Sequence, residues 1–373
     1  ELNTGGSIFS INDVLMASGD GALLSGLLRL GGFLTEPVEA TFTGNVTMDG
    51  GELMVRSGGT ATFESDFTII SGFLLIDEEG TSVQFNGSVT PGDLRIECRD
   101  GAVFEAPWIT SMGITNPEIT LEARGEGSML TLPNLETLIP PQAGQGSSGD
   151  FMLLYARDGG TLSLPALDNL MPGRIRLQVN GEGSSLQLPA VQKIEGADEG
   201  QLSRIDVDNS GLLTTGETLT LEYTSLLLND SGTLSANSVI AGPGSEVSGP
   251  GILTADLTNQ SLIKLDQDSG PVAIDGNAIL DTDSHIEVTI GLGSEFTGSG
   301  KLEITGTATL GGTLEIIKGG AYAPVAGDEF EIISFASKSG DFAQLEGLDL
   351  TEGFIGEVQV NDTSVVLKVV AAP

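Results

Sequence analysis

A seven-residue pattern recurs six times without a gap, and it constrains the fold more than any other feature of the chain. Each copy opens on an acidic residue or Ser, then Gly, then a run with alternating apolar positions. The copies are Ser57–Phe63, Glu79–Phe85, Asp100–Ala106, Glu126–Leu132, Asp158–Leu164 and Glu182–Leu188. Their glycines are spaced 22, 21, 26, 32 and 24 residues apart. Four copies run into a proline, at Pro107, Pro133, Pro165 and Pro189. The pattern persists more weakly at Ser210-Gly211 and Ser231-Gly232, and returns at Gly312–Ile316.

Each unit reads the same way physically. The acidic–Gly pair is a turn, with Gly free to take positive φ. The residues after it alternate, with Leu130/Leu132, Leu162/Leu164 and Leu186/Leu188 on one side. Period two over a few residues is a strand with one buried face. Proline ends the strand because it cannot donate to a central ladder. Short strands, frequent turns and no long 3.6-residue period give an all-β protein. A period near 22 is too short for a propeller blade, and it lacks the helix of most leucine-rich repeats. It fits one coil of a parallel β-helix, whose coils bury their apolar faces only by stacking. About a dozen coils at strand spacing would make a rod on the order of 60 Å long. A pair of β-sandwiches with coincidental turn spacing is the competing architecture.

Composition removes other classes. Fifteen Lys and Arg against 52 Asp and Glu leave a net charge of −37, which repels phosphate backbones and excludes nucleic acid as a partner. At 39% hydrophobic the chain is too apolar for disorder. Its most apolar window, Leu23–Leu34, is too short for a spanning helix and contains Arg29, so no membrane insertion is expected. The lone Cys98 alternates with Leu94 and Ile96, which makes it a packed thiol rather than a nucleophile.

The two ends depart from the repeat. Residues 1–36 do not fit it and form either an N-terminal cap or an assembly segment, with Ile8, Phe9, Ile11, Leu27, Leu30 and Phe33 as the apolar contact candidates. A solenoid needs its end coils covered, since open strand edges aggregate. The other end reads Gly312-Thr-Leu-Glu-Ile316, then Tyr322-Ala-Pro324, Gly327-Asp-Glu-Phe330-Glu-Ile-Ile333 and Ser339-Gly-Asp-Phe342. This succession resembles the end of autotransporter-like bacterial surface proteins, over about 60 residues. The resemblance implies a secreted right-handed parallel β-helix with its own C-terminal β cap. The expected organisation is therefore 1–36 cap or assembly segment, 37–318 parallel β-helix and 319–373 cap. The chain departs from the family in ending at Pro373 with no alternating barrel strands after the cap, so export through a fused barrel is not expected.

Chemistry is sparse. The only histidine, His285, has no nucleophile elbow or other supporting motif, so it reads as an ordinary exposed strand residue. The pairs Asp266/Asp268 and Asp281/Asp283 would each point to one face of a strand and could hold Ca²⁺ or act as paired carboxylates. No other cofactor is indicated. The expected function is structural: an extracellular or cell-surface β-solenoid acting as a fibre subunit or adhesin stalk, self-associating into a filament or surface layer. A polysaccharide-degrading β-helix is the alternative, and a glycan- or cell-binding module without catalysis is a third reading. All three share the fold, so the fold alone does not choose among them.

Overall fold

The computed structural model describes residues 8–11, 15–17, 22–31, 37–113, 120–141, 151–198, 200–266, 270–292 and 298–373. The described residues are strands, turns and bends, and the fold is an all-β parallel β-helix. Among them no helix is long and apolar enough to cross a membrane. The chain divides into two compact units, Glu1–Val191 and Gln192–Pro373.

In the first unit one wall is built from Val46–Val55, Phe67–Asp77, Asp93–Arg99, Thr120–Arg124, Met152–Arg157 and Ile175–Asn180, each parallel to the next. A second wall stacks Val103–Glu105, Met129–Thr131, Thr161–Ser163 and Ser185–Leu188. The expected leucine columns lie in the interior: Leu130, Leu132, Leu162, Leu164, Leu186 and Leu188 are all 0% exposed. Each such side chain contributes roughly 1.5–3 kcal/mol by leaving water. The earlier coils fill the same space with stacked rings, Phe42 on Phe63 at 4.7 Å and Phe63 on Phe85 at 5.2 Å.

The repeat's punctuation has a direct geometric meaning. All six motif glycines, from Gly58 to Gly183, have φ between 70° and 90°. That left-handed conformation is one L side chains rarely adopt. The prolines occupy the second position of tight turns: Ile109 N–H donates to Ala106 O, Leu135 to Leu132, Leu167 to Leu164 and Val191 to Leu188. Proline's fixed φ suits that position, and its missing N–H is not needed there.

The link from the column Asp77, Arg99, Arg124, Arg157 and Asn180 to the following motif glycine alternates between three and two residues from coil to coil. Turns closed between Arg56 and Gly59, Arg99 and Ala102, and Arg157 and Gly160 interleave with turns closed between Glu78 and Thr81, Gly125 and Ser128, and Gly181 and Ser184. The hydroxyl of the second type accepts the glycine N–H of the coil before it. Gly58 N–H donates to Thr81 Oγ1 at 3.1 Å, Gly101 to Ser128 Oγ at 2.9 Å and Gly159 to Ser184 Oγ at 2.9 Å. The structural repeat of this unit is thus a pair of coils.

Strands before residue 37 join the same parallel stacking. Ile8–Ile11 pairs with Leu27–Leu30, which pairs with Val46–Val55, and Leu15–Ala17 pairs with Glu39–Phe42.

The second unit repeats the design with Ser203–Asp208, Thr224–Leu228, Glu246–Ser248, Leu262–Leu265, His285–Leu292, Thr313–Lys318 and Gln344–Glu346 in parallel succession. Its last strands turn antiparallel: Ser364–Ala371 lies between Glu329–Ser334 and Phe354–Val360. The Tyr-x-Pro and Gly-Asp-x-Phe segments meet beside them. Tyr322 Oη donates to Asp328 Oδ2 at 2.6 Å, and the Tyr322 and Phe330 rings pack edge-on at 5.6 Å. Burial, and then the bond to Asp328, raise the Tyr322 pKa, so the phenol keeps its proton.

Candidate functional surfaces on the outer strand faces

Outward positions of a parallel coil stack form columns, because register places equivalent residues of successive coils side by side. In the first unit, Asp77, Arg99, Arg124, Arg157 and Asn180 form one column, and Leu75, Glu97, Glu122, Tyr155 and Gln178 form the next. Glu97 is 0% exposed. A buried carboxylate needs ionic partners, and Arg95 and Arg99 supply them from either side on the same strand. Arg157 reaches back to Glu122 at 3.7 Å, lies over the Tyr155 ring at 3.8 Å and bonds Gln178. Arg56–Asp77 at 2.7 Å and Arg124–Asp158 at 2.9 Å extend the network.

Burial, and then the neighbouring charge of Glu97, push the Glu122 pKa up, against the opposing pull of Arg157, Arg99 and Arg124. Cys98 lies on the inner face beside this network, fully buried as expected. Burial first and Glu97 second raise its thiol pKa, so it stays protonated and unreactive. Each carboxylate of this network is engaged by an arginine, and most pairs link two coils. The arrangement ties coils together.

Sequence reasoning missed this ladder. Its signal was present: Arg stands shortly before the motif glycine at Arg99-Asp-Gly101, Arg124-Gly-Glu-Gly127 and Arg157-Asp-Gly159.

On the second unit, His285 and Glu287 share the outward face of His285–Leu292. Glu287 is in register with Glu315 on the next coil, and Glu315 with Glu346 on the one after. His285 Nε2 lies 2.9 Å from Glu315 Oε2. Donor atoms of His285, Glu287 and Glu315 all lie within 4.8 Å of one another, and all three residues are half-buried. Two carboxylates and an imidazole are a donor set that a divalent metal can use.

The aspartates singled out from the sequence lie elsewhere. Asp266 follows Leu262–Leu265 and pairs with Lys264 at 3.4 Å, a contact that raises the Lys264 pKa. Asp268 lies outside the described residues. Asp281 and Asp283 sit in a turn rather than on a strand face. Ser284 N–H closes that turn onto Asp281 O at 3.0 Å. The Asp281 carboxylate accepts from Thr282 N at 2.6 Å and Gln260 Nε2 at 3.1 Å, and these bonds hold its pKa low. Asp283 is exposed. Among the described residues these aspartates do not converge with other acids or histidine as a group of three donors.

Of the apolar contact candidates, Leu30 is 0% exposed and belongs to the core, while Leu27 is half-buried on the outer side. Ile8, Phe9 and Ile11 lie on the strand Ile8–Ile11, and their side chains fall outside the described set, as does Phe33.

No family model matches the chain, and no curated protein sequence matches it.

Proposed function

We propose that this chain is a structural β-solenoid of a secreted or cell-surface assembly, serving as a fibre subunit or adhesin stalk. The observation that carries this reading is how the outer polar groups are used. Coil-to-coil pairing engages the Arg56–Asp77 and Arg124–Asp158 pairs in the first unit. In the second unit Lys193 bridges Glu195 and Glu222, and Lys301 bridges Glu303 and Glu331. Side chains committed to holding neighbouring coils serve mechanical cohesion. The antiparallel end with its Tyr322–Asp328–Phe330 cluster supports the finer reading, an autotransporter-like passenger with its own cap.

The test is electron microscopy of the purified chain at low and high concentration, with and without Ca²⁺, beside a screen for polysaccharide cleavage. Ordered filaments make it a fibre subunit. Dispersed particles without cleavage make it a stalk. Catalytic release of new sugar ends, retained on repurification, would overturn the structural reading in favour of a polysaccharide-degrading β-helix.

A further inference from the structure

A recurring device on the second unit's outer face points to a site. A cation stands two residues before an acid, on or at the end of a strand, at Lys193-Ile-Glu195, Lys264-Leu-Asp266 and Lys301-Leu-Glu303. In each case the ammonium bonds that acid, at 2.7, 3.4 and 2.8 Å. Glu195 is in register with Glu222, and Lys193 also reaches Glu222 at 2.9 Å. One lysine thereby neutralises two like charges on neighbouring coils.

His285-Ile-Glu287 occupies the same arrangement, with Glu315 in register across from Glu287. Here the group two residues before the acid is an imidazole. It carries no permanent charge, and its neutral form offers a ring-nitrogen lone pair to a metal. Lys264, in register with Glu287, directs its ammonium to Asp266. Glu315 is followed by another acid, Glu346, on the next coil.

We propose that His285, Glu287 and Glu315 bind a divalent transition-metal ion, of which Zn²⁺ is the representative. The metal would supply the positive charge that lysine supplies at the parallel positions. The donor set selects the class: Ca²⁺ takes six to eight oxygens, whereas one imidazole and two carboxylates suit Zn²⁺ and its neighbours. Tetrahedral Zn²⁺ at ordinary bond lengths brings its donors to roughly 3.4 Å from one another. The present separations, 2.9 Å for His285–Glu315 and at most 4.8 Å for the set, bracket that distance. Half-burial leaves room for water as the fourth ligand.

The test uses the full chain, stripped of metal, with Zn²⁺ as the titrant in calorimetry. His285→Ala and Glu315→Gln should each weaken the tightest binding step by about tenfold or more, the scale on which even supporting residues of metal sites act. Glu195→Gln, which removes an acid of the lysine-paired arrangement at Lys193, should leave that step unchanged, and Ca²⁺ in equal amount should not displace Zn²⁺. The chain has one histidine, so the imidazole ¹⁵N signals of the wild-type chain report on this residue alone. They should move to the metal-bound pattern at one equivalent of Zn²⁺. This readout decides the matter even where a variant folds poorly. Unmoved imidazole signals at saturating Zn²⁺, or equal affinity in wild type and His285→Ala, would overturn the site.

Discussion

The two units build the same parallel coils yet handle charge differently. The first carries eight arginines, no lysine and 24 acids, a net −16; the second carries one arginine, six lysines and 28 acids, a net −21. In the first, guanidinium groups lie against a carboxylate that water does not reach, Glu97. In the second, the bridging ammonium groups of Lys193 and Lys301 hold acids that stay a quarter or more exposed, such as Glu195 at 26% and Glu331 at 49%. The contrast follows from the side chains. A planar guanidinium presents several donors and is weakly hydrated, so it tolerates partial burial; an ammonium is a strongly hydrated point charge. Arginines in the first unit thus reach a carboxylate as deeply buried as Glu97, whereas the bridging lysines of the second hold acids that keep contact with water.

The largest expected effect tests the apolar interior of the first unit, of a kind that the second also builds. Leu164→Asp places an unpaired charge in a fully buried column. It should abolish cooperative folding of the first unit, seen as lost strand circular dichroism and rapid proteolysis between residues 37 and 191. Melting like that of the wild type would refute the register.

The next effect separates the units. Glu97→Gln removes the shared partner of Arg95 and Arg99. Losing one member of a buried pair typically costs about 3–5 kcal/mol, and the lower end applies because Arg95 and Arg99 are 42% and 33% exposed and regain some hydration. Glu303→Gln in the second unit removes a more exposed partner of Lys301, and should cost less than about 1 kcal/mol. Denaturant melts of the two variants check the difference, and equal losses would erase the distinction drawn between the faces.

Much of this was legible in the sequence because it depended on neighbours along the chain. The alternation after each motif glycine placed Leu130, Leu162 and Leu186 inside, and the same rule buried Cys98. What was not legible depended on neighbours across coils. Insertions vary the coil length, so nothing in the order of residues aligns His285 with a glutamate 30 positions later. The Arg99, Arg124 and Arg157 column was hidden for the same reason, although each arginine stands just before its turn. Asp281 and Asp283 alternate as a strand would, but the Asp281 carboxylate binds the Thr282 N–H and stabilises a turn instead. The strands Ala22–Leu24 and Leu27–Leu30 were hidden because an almost continuous apolar run, broken by Ser25-Gly26 and Arg29, shows no clear period of two.

The smallest expected effect is a pH dependence inside the first unit's ladder. Glu122 is in register with Glu97, and its pKa is raised above the ordinary 4.5 by burial and by that neighbour. Folding therefore favours its protonated form. The stability this provides is complete below the ordinary glutamate range and is lost as pH rises through the raised folded value. Glu122→Gln keeps the neutral shape at every pH. The difference in unfolding free energy between wild type and variant removes the contribution of the other acids to a first approximation. It should shift toward the wild type as pH falls from about 7 to about 4, a window spanning the ordinary and raised values, in urea melts at constant ionic strength. A shift in the opposite direction would mean that Arg157, at 3.7 Å, governs this carboxylate, making the pair a net stabilising salt bridge. The two columns would then be matched charge for charge, and the first unit's outer face would lose stability in acid as an exposed ion-paired surface does.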